Sequence, residues 1–223
     1  MPTSLADAAG RARPLALAGE QLLPVLAPLA PLFPDGGLRR GSTVAIGGTG
    51  GTTSLTLAVT TAASRAGSWS AAVGLPALGL VAAAGYGLAL ERFALVAEPG
   101  EQWPAVMAAL VDAVDLILVR PPVRTRATEA RRLMARARER GVVLVVSGPG
   151  WPEAADIVLT AAPAGWRGLG YGHGYLQGRS VEVTSTGRRA AARPRRVTLW
   201  LPGRDGVLAA PTPAAPAALS AVG

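Results

Sequence analysis

The residues with the most chemical potential are VAIGGTGGTTSLTL, Val44–Leu57. An apolar run enters Gly47, Gly48, Thr49, Gly50 and Gly51, and a helix-forming stretch begins at Thr52, Thr53 and Ser54. Glycines let backbone N–H groups turn inward, and a helix N-terminus adds partial positive charge, so this context suits a phosphate group. A working phosphate loop reads G-x-x-x-x-G-K-[ST]. Gly51 can serve as its last glycine and Thr53 as the hydroxyl that holds magnesium. The lysine position, however, is Thr52. Five residues before Gly51 stands Ile46, and the nearest glycine, Gly47, leaves the loop one residue short. The lysine carries a full charge to the β- and γ-phosphates, which a threonine hydroxyl cannot do. The expectation is a degenerate loop: no cofactor, and no ATP binding. Two readings stay open for it, a weak anion site or a purely structural glycine turn.

A second position bears on the same chemistry. The apolar run Val114–Val119 ends where a nucleotide hydrolase of this kind usually carries a magnesium-coordinating acid. Here Arg120 follows, and then Pro121 and Pro122. A cation at that place repels a metal, so Arg120 marks a lost metal-acid position, and no metal site is expected.

Composition closes further classes. All 22 basic residues among the 223 are arginine, against 14 acidic ones. Without lysine there is no Schiff-base nucleophile. Without cysteine there is no disulfide, thiol nucleophile or cysteine zinc site. The one histidine, His173, cannot build a multi-histidine metal centre. A chain with this list missing can still be an enzyme; the expectation that it is not one rests on the degenerate loop, the absent lysine and the absent acids.

The net charge of +8 suits polyanions, although an all-arginine, alanine-rich chain is also what compositional bias produces. Two arginine clusters stand out. Thr125–Arg140 holds six, including Arg131, Arg132 and Arg136, around a narrow stripe of Ala127, Ala130, Leu133, Met134 and Ala137. It reads as a solvated helix face or as a contact surface for DNA or an acidic partner. Arg188, Arg189, Arg193, Arg195 and Arg196 form the second, in a turn with no acid between Glu182 and Asp205. Cations of this density suit phosphates. Trp166, Tyr171 and Tyr175 lie among glycines and Arg167, a pattern read as hairpin ends or as a base-stacking surface.

The elements that must position these residues follow a rhythm. Strands are expected over Ser42–Ile46, Ser70–Leu75, Phe93–Ala97, Val114–Val119 and Val142–Val146. Helices are expected over Ser54–Arg65, Gly79–Leu90, Pro104–Ala113 and Thr125–Arg140. Apolar strands alternating with helices imply an α/β fold with a mostly parallel central sheet. From Gly150 on, Ala155–Ala161, Gly172–Gln177, Ser180–Thr184 and Arg196–Leu201 read as strands without helices between them, an antiparallel extension at the sheet edge. The uncharged stretch Ala66–Leu90 is long enough to span a bilayer, but its proline and five glycines favour a buried strand and helix. With no secretory signal in view, the expected location is cytoplasmic, or nucleoid-associated when on DNA, with no membrane partner.

The order GGLRRGSTVAIGG, TSLTLA, VAEPGEQ, VDLILVRPP and RGVVLVVSG resembles the RecA core, over about residues 24–202. That resemblance implies a catalytic glutamate just after the second strand, where this chain has Gly74-Leu75-Pro76-Ala77-Leu78. It also implies two DNA-binding loops, reduced here to about Pro121–Thr125 and Gly148–Glu153. A short, lysine-free, catalytically stripped chain of this type resembles the actinobacterial ImuA-type accessory proteins. That likeness implies a non-catalytic adaptor in DNA-damage-induced translesion synthesis and mutagenesis, part of the SOS response. Its partner would be an ImuB-type inactive Y-family polymerase homologue, with an error-prone replicative-type polymerase engaged indirectly. Direct DNA contact and self-association stay open. The alternatives are a residual nucleotide-dependent DNA-binding ATPase and an arginine-driven nucleic-acid binding module. The expected organisation is an N-terminal segment at 1–19 with a short helix at Ser4–Ala12, a core at 20–202 and an Ala/Pro-rich disordered tail at 203–223.

Overall fold

The computed structural model describes residues 22–122, 125–169, 174–202 and 208–209. The N-terminal segment with its expected helix, Tyr171, His173, the side chains of Arg167 and Tyr175, and the tail other than Leu208 and Ala209 lie outside the described structure.

Leu22–Pro24 (β1) pairs antiparallel with Gly37–Arg39 (β2), and between them a proline-broken 3₁₀ turn, Ala27–Leu32, drives Leu29 and Leu32 into the core. Then come Thr43–Gly48 (β3), the helix Thr52–Arg65 (α1), Ser70–Val73 (β4) and Leu80–Tyr86 (α2). Phe93–Val96 (β5), Trp103–Ala113 (α3), Leu116–Val119 (β6), Ala127–Arg140 (α4) and Val143–Ser147 (β7) complete the alternating part. Ile157–Leu169 (β8), Gly174–Gly187 (β9) and Arg195–Trp200 (β10) follow.

The main sheet has the order β10-β9-β8-β3-β7-β6-β4-β5. From β8 to β5 every pairing is parallel, and β9 and β10 add antiparallel at one edge. The α/β architecture with an antiparallel edge extension is thus the one the sequence pattern implies. One strand departs from it: β8 joins the parallel set beside β3 rather than the antiparallel meander. It is reached from β7 through the helix-free loop Gly148–Asp156, whose Trp151 packs against the core.

Alternate side chains of the buried strands serve the two sheet faces. Leu116, Leu118, Val143 and Val145 join α1 and the N-terminal wrap in one cluster. Ile117, Val119, Leu144 and Val146 join Trp103, Met107 and Val111 of α3 and Leu133 and Ala137 of α4 in the other. Burying such strands on both faces explains their uninterrupted apolar runs.

Several boundaries move, each for a local reason. The second strand stops at Val73 because Gly74 takes φ +73°, where a Cβ would overlap the Arg120 carbonyl. The expected helix Gly79–Leu90 shortens to α2 because Gly87 turns left-handed (φ 90°) and ends it. The helix expected from Thr125 begins at Ala127, as Arg126 is extended and its N–H donates to Glu129 Oε2 at 3.3 Å. The two expected strands Gly172–Gln177 and Ser180–Thr184 are one strand, β9, and its partner β8 runs on to Leu169. Within the tail expected to lack structure, Leu208 is buried in the core and Ala209 exchanges two backbone hydrogen bonds with Trp200 (2.9 and 3.2 Å). No helix among the described residues is long and apolar enough to cross a membrane.

Candidate functional site

The glycine loop lies at the C-terminal end of the parallel strands, where open α/β sheets place ligands. Its backbone is committed to the sheet. β3 runs on through Gly47 and Gly48, which pair with Thr160 and Ala161 of β8. The N–H of Thr49 then donates to the Ala161 carbonyl at 3.0 Å. A Cβ on Gly48 (φ +127°) would overlap that carbonyl, and one on Gly50 would stand 2.9 Å from the Pro163 ring. Gly51 (φ 82°) caps α1. Three of the four glycines therefore have packing or backbone reasons; a Cβ on Gly47 would meet only open space.

α1 begins at Thr52 without a side-chain cap and without an acid in its first turn. Its interior is buried although rich in hydroxyls. Thr56, Thr60 and Thr61 return hydrogen bonds of 2.8–2.9 Å to carbonyls one turn back, which satisfies them without solvent.

A cleft of about 420 Å³ opens above the loop. Gly47, Gly48, Thr52, Thr53 and Thr56 form one wall, Leu75 and Leu78 another, and Arg120 with Ser147, Gly148 and Pro149 the third. Arg120 leaves β6 with its N–H on the Val73 carbonyl (2.9 Å), and its Nε lies 3.1 Å from where a Cβ on Gly148 would stand. The structure thus brings the glycine loop and Arg120 into one cavity. None of the lining residues is acidic or a lysine. Leu75 and Leu78 occupy the stretch after β4 in which the RecA resemblance places an acid. Chemically the cleft presents hydroxyls, the uncapped amides of α1 and one guanidinium. Among the described residues its lining includes no carboxylate. Among the described residues no cluster of three or more His, Cys, Asp or Glu could hold a metal ion.

The arginine clusters lie elsewhere. On α4, Arg131 is bonded to Glu153 of the β7–β8 loop (2.8 Å), Arg136 to Asp112 of α3, and Arg140 to Asp112 (3.0 Å), while Arg132 is exposed and makes no ion pair with described residues. Arg136 holds the Asp112 carboxyl below the usual carboxylate range by its hydrogen bond. Arg195 folds onto the carbonyls of Ala190 and Arg193, and Arg196 reaches Glu182 at 3.5 Å. Arg188, Arg189 and Arg193 are exposed and make no ion pair with described residues. This turn is at the N-terminal end of the parallel strands, since Gly187 pairs with Ile157 at the start of β8. The fold does not unite it with the loop. Trp166 projects beyond the other end, with the Arg179 guanidinium 5.5 Å from its ring centre.

Sequence reasoning passed over one cluster. Asp115, nearly buried, accepts Arg40 Nη1 and the Trp69 N–H, each at 2.9 Å. The signal available was an acid just before a buried strand, but its partners are 75 and 46 residues away.

Comparison with known proteins gives three similarities. Residues 31–153 match the family described as the MT3502 N-terminal domain. An uncharacterized protein of Mycobacterium tuberculosis H37Rv, Rv3395c, is 34% identical over 152 residues, covering 64% of this chain and 74% of that one. Among solved structures, the crystal structure of the RadB recombinase aligns with a TM-score of 0.59 at 15% identity, over 81% of this chain and 96% of that one. The last similarity establishes a shared RecA-like fold.

Proposed function

The chain belongs to the MT3502 N-terminal domain family, and on that premise we propose that it is a non-catalytic, ImuA-type adaptor of DNA-damage-induced translesion synthesis. It would hold an ImuB-type inactive polymerase homologue, and through it an error-prone replicative-type polymerase, without turning over nucleotide. One observation supports the reading: a RecA-like sheet carries, at its glycine loop, a cleft whose described lining includes one guanidinium and no carboxylate. Thr52 stands for the lysine, Leu75 and Leu78 fill the place of the acid, and Arg120 faces the loop where a magnesium ligand belongs. Phosphoryl transfer relies on charge neutralisation by lysine and metal. A cleft with one guanidinium and no carboxylate supplies neither a metal site nor a base. The loss of these groups without loss of the fold fits a protein kept for its surfaces.

The test is co-purification of the full chain with the ImuB-type protein at low salt. Recovery of a stoichiometric complex, with or without ATP, supports the adaptor. Absence of association counts against it. Saturable thermal stabilisation by micromolar ATP analogue and magnesium would instead favour the residual ATPase.

A further inference from the structure

The parallel sheet has two ends, and its charge is segregated between them. Residues that immediately precede β3 to β8 all lie at one end, because those strands are parallel. The antiparallel pairing brings the end of β9 and the start of β10 to the same end. Arg188, Arg189 and Arg193 therefore stand beside Asp156 at the start of β8, and the Arg188 N–H donates to the Asp156 carbonyl at 3.0 Å. Asp156 in turn accepts the Thr43 N–H at 2.9 Å. Two residues earlier, Gly41 lies against Arg138, whose Cα is 2.9 Å from where a Cβ on that glycine would stand. Further along come Trp69 before β4 and Arg92 before β5, in adjacent register because Ser70 pairs with Phe93.

Most carboxylates at this end are engaged. Asp115 holds Arg40, Asp112 holds Arg136 and Arg140, and Asp156 holds the β3 amide. Arg92, Arg138, Arg188, Arg189 and Arg193 make no ion pair with described residues and are exposed; the free exposed acids here are Glu91 and Glu139. Trp69 is the large exposed aromatic of this end, with 46% of its surface accessible.

We propose that this end of the sheet is a binding face for single-stranded nucleic acid. Eight strands at ~4.8 Å spacing make a row of roughly 34 Å, long enough for about ten stacked nucleotides at 3.4 Å each. Unpaired guanidiniums take the phosphates, and Trp69 stacks a base beside Arg92. The exposed tryptophan distinguishes this occupant from an acidic peptide, which needs the cations alone. The face is remote from the glycine cleft and does not depend on the adaptor reading.

The experiment is fluorescence anisotropy of a labelled oligothymidine with the full chain across a salt series. The triple variant R188E/R189E/R193E is expected to bind at least tenfold more weakly. Its log–log salt slope should be shallower by about 2, for three lost contacts at about 0.7 each. Trp69→Ala is expected to weaken binding fivefold or more at unchanged slope, Trp69→Phe to restore most of it, and Trp166→Ala, at the other end, to change it less than twofold. Melting curves verify that each variant is folded. Wild-type affinity in the triple variant, or no binding by the parent chain at low salt, overturns the proposal. Competition by polyglutamate as effective as by unlabelled oligonucleotide also overturns it, and assigns the face to an acidic protein segment.

Discussion

The two ends of the parallel sheet differ in where their charge lies. At the C-terminal end the glycine loop, Thr52, Leu75 and Arg120 frame a cleft whose lining residues include no carboxylate and no lysine. At the N-terminal end arginines accumulate in the turns that lead into the strands. Strand-end geometry favours ligands at the first of these ends. Here that geometry persists as backbone only: Gly47 and Gly48 are zipped to β8, and the Thr49 amide is spent on Ala161. The comparison teaches that a glycine loop can be held in shape by packing against a neighbouring strand, while charge gathers where packing leaves solvent-exposed turns.

The sharpest way to break this contrast is Gly48→Ala. If the loop is structural, the added Cβ collides with the Ala161 carbonyl at a left-handed φ, and unfolding in denaturant should show a loss of about 3 kcal/mol. A neutral result would mean that the loop is free of β8. Next is Asp115→Ala at the other end, which strands the Trp69 N–H and Arg40; chemical denaturation should register about 2 kcal/mol.

A smaller effect is expected for Asp112→Asn. The Asp112 carboxyl is held below its ordinary value, chiefly by the Arg136 hydrogen bond. Its contribution is complete above the unfolded carboxylate pKa of about 4 and fades as pH falls through the depressed folded value. The pair is partly solvated, so the variant should melt less than ~2 °C lower at neutral pH. The difference from wild type should vanish in acid, as thermal melts against pH would show. Last, Thr52→Lys should change nothing measurable. One restored cation leaves a cleft that lacks carboxylates and still contains Arg120, so phosphate release from ATP stays at background. Turnover in that single variant would show that only the lysine had been lost.

Much of the architecture was legible from residue patterns. VVLVV and LILV announce strands buried on both faces, and the Ala130, Leu133, Ala137 spacing announces a one-sided helix. The glycine loop between β3 and α1 was legible too, because glycines and hydroxyls follow an apolar strand at fixed offsets. The full extent of the β8–β9 hairpin, as two long continuous strands, was not. Its middle is rich in glycine, without clean alternation, and its register is set by pairing with β3 on one side and β10 on the other. The burial of Leu208 and the bridge of Ala209 to Trp200 were equally hidden, since Ala/Pro composition says nothing about a single buried leucine.

The sequence by itself determined which chemistries are closed, because no fold can supply a lysine, a cysteine or a second histidine that the chain does not contain. It also determined the alternation of strands and helices, through local periodicity. Only the tertiary structure decided which arginines are neutralised. Arg131, Arg136 and Arg140 find carboxylates 22 to 28 residues away, whereas Arg188, Arg189 and Arg193 find none among the described residues. The reason is that ion pairing falls steeply with distance, and distances between residues far apart in the chain are set by strand order, which no local pattern encodes.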